Sequence, residues 1–476
     1  MRFNIFLIMS LLFLFEAEAQ NNTSAPKQGF NLDVSIPTQK GQLLYLGQYW
    51  KNKTYAIDSV KLSNEGNGSF SRSERLPEGQ YFLYIKPFFQ VDLLIGNEQH
   101  DISIQLNENA PVENKVAGSK DTRLLWEYLA KTENFNKEIT SLKISFADTT
   151  ITDIQHTELL QQIKDWEEKQ KNFDITFKKE NKNTWAGKLL TGLDPIKLPY
   201  PQPKNQQELK ENKTYGRNHF FDNIDLTDPR FWYTNYLDSY IDNYMKKWID
   251  PVPDSLAIAA SRLVEKTKRN DLCFKEMLSK LFNEASTSSI MGDENVWARL
   301  YEDYILDKNI PWISKSQYGE LKSKYSLIKN NRIGMTARNM ALQTLDSTEI
   351  NTNSLPAEYL LLYFYDPSCG HCSTETPKLH DELYKIYKDK GLEIVAINIG
   401  SNSQEWANFV NAHKLTDWIN ATDLNYKSEY WMNYDVSDIP MAYLLDKDKR
   451  IIARKINTKQ LKTILDFYLQ NKNGTN

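Results

Sequence analysis

The chain changes its hydrophobic rhythm three times. Over residues 30–106 apolar and polar positions alternate in short runs, as in 55–62 (YAIDSVKL) and 101–106 (DISIQL), with further runs at 43–46 and 79–85. Period-two alternation puts every second side chain on one face of a strand. Turn residues punctuate the runs at 64–68 (NEGNG), 77–79 (PEG) and 96–97 (GN), so this part predicts a compact, sandwich-like all-β domain without internal repeats. After Gly118 the rhythm lengthens. Residues 121–131 and the heavily charged 151–182 carry helical spacing, the second with Leu159, Leu160, Ile163 and Trp166 near one face. The segment LPYPQP at 198–203 stops any helix and reads as an extended connector. Helical spacing resumes over 220–329, predicting helices at 232–248, 253–268, 271–284 and 295–307. Aromatic residues crowd the first of these, a stripe read as helix packing.

From Ile333 the rhythm alternates between the two kinds. Strands are predicted at 359–365, 393–399, 442–446 and 451–455, and helices at 374–390, 404–413 and 458–470, which gives a sheet with parallel strands first and an antiparallel pair at its end. The stretch YLLLYFY at 359–365 is too short to span a membrane and fits a strand buried on both faces. It opens at a sheet edge into Cys369-Gly370-His371-Cys372. The first cysteine then falls at a helix N-terminus, where free N–H groups and the macrodipole favour a thiolate. One turn of helix brings the two sulfurs of a C-x-x-C within bonding range.

Composition narrows the chemistry further. A net charge of −4 over 476 residues, with no basic block interleaved with aromatics, argues against a nucleic-acid partner. Three cysteines cannot be a disulfide scaffold for a chain this long. With no second C-x-x-C and six scattered histidines, a zinc site is disfavoured against a redox pair, so neither metal nor bound cofactor is expected. Cys273 lies in NDLCFKEML on the inward side of a predicted helix and reads as a buried, inert thiol. At the N-terminus Arg2 precedes an apolar run over 5–15, and Ala17-Glu18-Ala19 has the small-x-small form that signal peptidase reads. A cleaved signal peptide over 1–19 is expected, an uncleaved anchor being the alternative, and the mature protein is expected in the periplasm.

Residues 333–470 resemble a thioredoxin-fold domain of the TlpA/ResA type, the exported thiol-disulfide oxidoreductases. The residues carrying the resemblance are Ile333-Gly334, Cys369-Gly370-His371-Cys372, Glu375, Pro377 and Ile439-Pro440 ahead of the strand ending in Leu445-Asp446. The resemblance implies a redox disulfide Cys369–Cys372, with Cys369 as nucleophile and Cys372 as resolving thiol. It also implies a cis Ile439–Pro440 bond that, with Gly370, borders the substrate, and a proton-exchanging Glu375 whose acidity burial weakens. His371 would favour thiolate over disulfide, and Gly370-His371 is also similar to the dipeptide of protein disulfide isomerase. Three positions depart from the pattern: Ser368 where tryptophan is common, Tyr363 where thioredoxins carry a buried aspartate, and Lys449 where a glycine turn is usual. The β domain ending in VAGS at 116–119 and the segment 219–311 resemble domains that accompany such modules in Bacteroidetes envelope proteins.

The expected architecture is multidomain: signal peptide 1–19, N-terminal β domain 20–118, helical segment 119–197, connector 198–204, helical domain 205–330, α/β thioredoxin-like domain 331–470 and tail 471–476. The expected function is exchange of disulfides with cysteines of envelope proteins through the CGHC dithiol, reduction favoured over oxidation or isomerisation, with a membrane electron donor or acceptor. Homodimerisation through the N-terminal or helical domains is a further expectation. The alternative is a binding or scaffold protein in which the thioredoxin-like domain is incidental.

Overall fold

The structure, a computed structural model, describes residues 29–473 apart from 88, 98–99, 108–112, 151 and 424–426. The expected signal peptide and the last three residues of the expected tail lie outside the described residues. Within them the chain separates into two compact units, one made of 29–249 with 265–276 and the other of 250–264 with 277–473. The helical stretch expected as one domain over 205–330 is thus shared between the two.

The first unit begins with β1 (Phe30–Ser35), β2 (Leu43–Trp50), β3 (Lys53–Lys61), β4 (Asn67–Arg72), β5 (Gly79–Ile85), β6 (Phe89–Ile95), β7 (Asp101–Gln105) and β8 (Lys115–Ala117). They form two four-stranded sheets, ordered β4-β1-β7-β8 and β3-β2-β5-β6, whose inward residues share one apolar core that includes Leu32, Val34, Leu46, Leu83 and Ile104. This is the sandwich that the alternation predicts. Strand β4 starts inside the expected turn at 64–68, because Gly66 alone supplies the positive φ of the reversal and leaves Asn67 free to pair with Ser35.

Two long helices follow, α1 (Lys120–Phe146) and α2 (Asp153–Glu180). They run antiparallel, with Tyr128 near Asp174 and Lys143 near Glu167. Helix α1 continues well past the expected end at 131 because Phe135 packs on Trp166 and Phe173 of α2. Its first turn is tied to the edge strand β6: the Ser119 and Thr122 hydroxyls donate to the Leu94 carbonyl, Thr122 accepts the Leu94 N–H, and the Trp126 indole donates to the Asp92 carbonyl.

Helices α3 (Trp185–Gly192), α4 (Gln206–His219) and α5 (Leu237–Lys247) complete the long part of this unit. The connector between α3 and α4 is held by the Asn212 side chain, which takes both the N–H and the carbonyl of Tyr200. The single helix expected over 232–248 is instead a 3-10 turn, Pro229–Tyr233, followed by α5. Thr234 breaks it, with an extended backbone and a hydroxyl bonded to the Phe231 carbonyl. The aromatic stripe is internal packing, with Phe220 stacked on Tyr240 at 4.2 Å. Helices α6 (Pro253–Thr267), α7 (Asp271–Thr287), α8 (Asp293–Tyr304) and α9 (Lys315–Ile328) follow.

The C-terminal part contains β9 (Ala341–Thr344), β10 (Glu349–Asn351), β11 (Tyr359–Tyr365), α10 (Gly370–Lys378), α11 (Lys385–Tyr387), β12 (Leu392–Asn398), α12 (Ser403–Ala412), β13 (Ile419–Thr422), α13 (Tyr430–Asn433), β14 (Met441–Asp446), β15 (Ile451–Arg454) and α14 (Thr458–Asn473). Helix α14 thus runs beyond the expected end at 470. One sheet of order β10-β9-β13-β12-β11-β14-β15 holds them, with β11, β12 and β13 parallel and β14 and β15 antiparallel. Strand β11 is buried along its whole length. Leu361, Tyr363 and Tyr365 enter one apolar cluster, and Leu360, Leu362 and Phe364 the other. At about 1.5–3 kcal/mol for each large apolar side chain buried, this strand is a main anchor of the domain. No helix among the described residues is long and apolar enough to cross a membrane.

Candidate active site

Strand β11 ends at Tyr365, and the chain turns at once. Asp366 holds the turn: its carboxylate accepts the Ser368 N–H and hydroxyl, and its carbonyl accepts the Cys369 N–H at 3.0 Å. Cys369 therefore becomes the N-cap of α10, and its sulfur accepts the Cys372 N–H at 3.3 Å. A cap satisfies one of the helix's free N–H groups, and a thiolate does so with the favourable sign of charge. The Cys369 thiol also donates to the Ile439 carbonyl at 3.7 Å. That carbonyl belongs to the Ile439–Pro440 peptide, which is cis.

The two sulfurs differ in setting. Both are free thiols here, Cys369 half-buried and Cys372 wholly buried. Burial pushes the Cys372 thiol up to about 12, reinforced by its hydrogen bond with Cys369. Gly370 leaves the approach open, since a Cβ there would meet nothing within 4 Å. His371 is exposed at the rim of a groove of about 420 Å³ that Tyr363, Glu375, Ile439, Pro440 and Leu461 also line.

Glu375 departs from the sequence-based expectation. Its carboxylate is ion-paired with Lys378 at 2.8 Å and its side chain is 33% exposed, so it sits at the groove wall rather than in an apolar pocket. Lys378 lies three residues on, as Cys372 lies three residues back, and the sequence alone does not say which neighbour wins. Pro377 lies inside α10, and a π-helical turn at Leu379–Tyr384 follows, so the helix expected over 374–390 is broken. Lys449 holds the turn between β14 and β15 with φ +61.

Sequence reasoning passed over Asp366 and Thr376. An aspartate two residues before a serine, with proline between, is a turn signature that could have marked the first. Thr376, four residues after Cys372, is polar at a wholly buried position, and its hydroxyl meets that of Tyr363 at 3.0 Å. Among the described residues no group of His, Cys, Asp and Glu gathers as metal ligands would.

A thioredoxin-like family model matches residues 357–451, from β11 through β14. Over 139 residues the chain is 32% identical to the thiol-disulfide oxidoreductase ResA of Bacillus cereus, covering 29% of this chain and 78% of that protein. The chain belongs to the ResA family of thiol-disulfide oxidoreductases. Among solved structures, a domain of a possible thiol-disulfide isomerase from Cytophaga hutchinsonii is 32% identical and covers 30% of this chain and 97% of its own, with a TM-score of 0.28. A thioredoxin-like protein from Bacteroides caccae is 19% identical and covers 58% and 98%, with a TM-score of 0.41. The family membership rests on the C-terminal domain, a thioredoxin-like fold with thiol-disulfide oxidoreductase activity.

Proposed function

We propose that the protein acts outside the cytoplasm, reducing disulfides of envelope proteins through the Cys369/Cys372 dithiol. The observation that carries this reading is the unequal exposure of the two sulfurs. Cys369 is open to a client sulfur beside the groove, while Cys372 waits one helical turn inside. Cys369 attacks a client disulfide, and Cys372 attacks the resulting mixed disulfide and releases the client reduced. A client chain lying along Ile439 and Pro440 would present its cysteine to Cys369. Reduction is favoured over oxidation on the resemblance of the C-terminal domain to TlpA/ResA-type oxidoreductases. On this reading the leader expected at 1–19 exports the protein to its envelope clients, and a membrane donor returns electrons.

Equilibration of the protein against glutathione buffers, with free thiols trapped at each ratio, tests the direction. A potential near about −270 mV is expected, whereas one between about −180 and −120 mV would make it an oxidase or isomerase. Absence of a reversible couple would remove the exchange reading altogether.

A further inference from the structure

The first unit leaves one sheet edge open. Strand β8 ends the sheet β4-β1-β7-β8 and pairs with β7 alone, Lys115 opposite Gln105, Val116 opposite Ile104 and Ala117 opposite Ser103. Among the described residues no backbone group of Lys115–Ala117 bonds to backbone outside that ladder. The edge strand of the other sheet, β6, has Leu94 capped by Ser119 and Thr122 instead. An uncapped edge can accept a further strand.

Beside β8 runs a groove of about 890 Å³, within the range of about 300–1,000 Å³ usual for ligand sites, walled on its other side by α1 and α2. Trp126 of α1 and Phe173 and Phe177 of α2 line it, each ring only half-buried. Val116 and Trp126 both pack against the sandwich core, so a residue set opposite Val116 in an added strand points toward these rings. Its neighbours in that strand point the other way, as the exposed Lys115 does. The charged lining is basic. Lys115, Arg123 and Lys131 face the single carboxylate of Glu127, which lies 3.9 Å from Arg123. Among the described residues Lys115 and Lys131 have no carboxylate at ion-pairing distance, so their charges stand unmatched in a chain whose net charge is −4. A second copy of the chain is a poor occupant, since pairing β8 with β8 would bring two basic linings together.

We propose that the groove between β8 and α1 docks an extended acidic segment of a partner protein, which adds to the sheet as a strand, lays apolar side chains on Trp126, Phe173 and Phe177, and sets carboxylates against Lys115 and Lys131. Main-chain hydrogen bonds to β8 hold any extended segment, and the rings and cations select one in which apolar and acidic residues alternate. The proposal stands apart from the exchange reading, because docking needs no cysteine in the partner.

The test titrates the full chain by calorimetry with a capped hexapeptide that alternates phenylalanine and glutamate and has no thiol. This peptide should bind, and its counterpart with lysine in place of glutamate should not. Lys115→Glu combined with Lys131→Glu should weaken binding by about tenfold or more, and added salt should weaken it in the unmodified protein. Both lysines are exposed, so an unchanged melting midpoint would report an intact fold in the variant. N-methylation of one alternate set of the peptide's amides should abolish binding and of the other set should spare it, because an added strand pairs along one of its edges only. Failure of the acidic peptide to bind, equal binding of both peptides, or binding that survives the double reversal overturns the proposal. Binding that survives methylation of either set overturns the strand pairing and leaves a pocket for small anions.

Discussion

Two helix starts in this molecule, at α7 and at α10, carry a cysteine in the same place. Cys273 is the third residue of α7 and Cys372 the third of α10, and both are wholly buried. Each donates its backbone N–H to the side chain of the residue capping its helix, Asn270 at 3.0 Å in one case and Cys369 at 3.3 Å in the other. Burial raises both thiols to about 12. The remaining causes diverge. Cys273 faces the acids Asp228, Asp225 and Glu276, which oppose its thiolate, and Trp232, which favours it, whereas Cys372 faces the single acid Asp366 and has a second sulfur within hydrogen-bonding reach. Helix position and burial alone therefore do not make a redox site. The identity of the cap, and what lies across from it, does.

The largest test of that comparison removes one cysteine at a time. Cys369→Ser should abolish turnover of a protein disulfide, a loss on the order of a thousandfold or more since the nucleophile is gone, while Cys273→Ala should leave turnover as it was. Turnover of Cys369→Ser at near the normal rate would break the comparison. Next, Cys372→Ala should lose turnover yet keep the first half-reaction, so that the client stays bonded to Cys369 and appears as a heavier species on a non-reducing gel. A third experiment sharpens the contrast by building the missing cap. Asn270→Cys would place two sulfurs at C-x-x-C spacing on α7 and should add a second couple in thiol trapping while leaving client turnover as it was, because that activity also depends on the groove beside Cys369. A variant with doubled active sites by client turnover would show that the cap alone suffices.

The pH dependence of stability is a smaller effect with a definite sign. An unfolded Cys273 ionises near 9.0, while the folded one holds its proton to about 12. The folded state therefore binds the extra proton in this window, and its contribution, fully present below pH 9, is lost as pH rises toward 12, by up to about 1.4 kcal/mol per pH unit. Melting of the protein and of Cys273→Ala at pH 8 and at pH 10 should show the variant less sensitive to alkali. The smallest change is Asn270→Ala, which removes a cap worth about 1 kcal/mol and should lower the denaturation midpoint without touching thiol reactivity.

Legibility in the sequence followed the strength of the local pattern. Strand β11 stood out because both its faces are buried, leaving no polar position to blur it. Strands β9 and β10 did not, since Leu342 is their only wholly buried residue. Strand β13 carries Asn420 and Thr422 inward, where the Asn420 side-chain amide N–H donates to the Leu415 carbonyl and the Thr422 hydroxyl to the Asn398 carbonyl, and a polar inward residue hides a strand from any hydrophobicity pattern. Helix α4 (QQELKENKTYGRNH) has no apolar stripe at all. Its Asn205 cap was readable, but its packing depends on Gly216, where a Cβ would come within 2.0 Å of the Trp248 ring. At the site, the cysteine pair was legible as a motif. The pairing of Glu375 with Lys378 was not, because both helical neighbours of a residue look alike in sequence until packing buries one of them.

The staple of α1 onto β6 bears on how the protein behaves when crowded. An edge strand offers unpaired amides and carbonyls to any passing chain and is the usual seed of edge-to-edge association. At Leu94 both groups are already taken by Ser119 and Thr122, so an incoming strand meets hydrogen-bonding positions that are filled near the end of the edge strand. Colloidal quality of the sandwich is thereby delegated to two hydroxyls at the foot of a helix, and Thr122→Val should reveal it as light scattering that grows with concentration well below the unfolding transition.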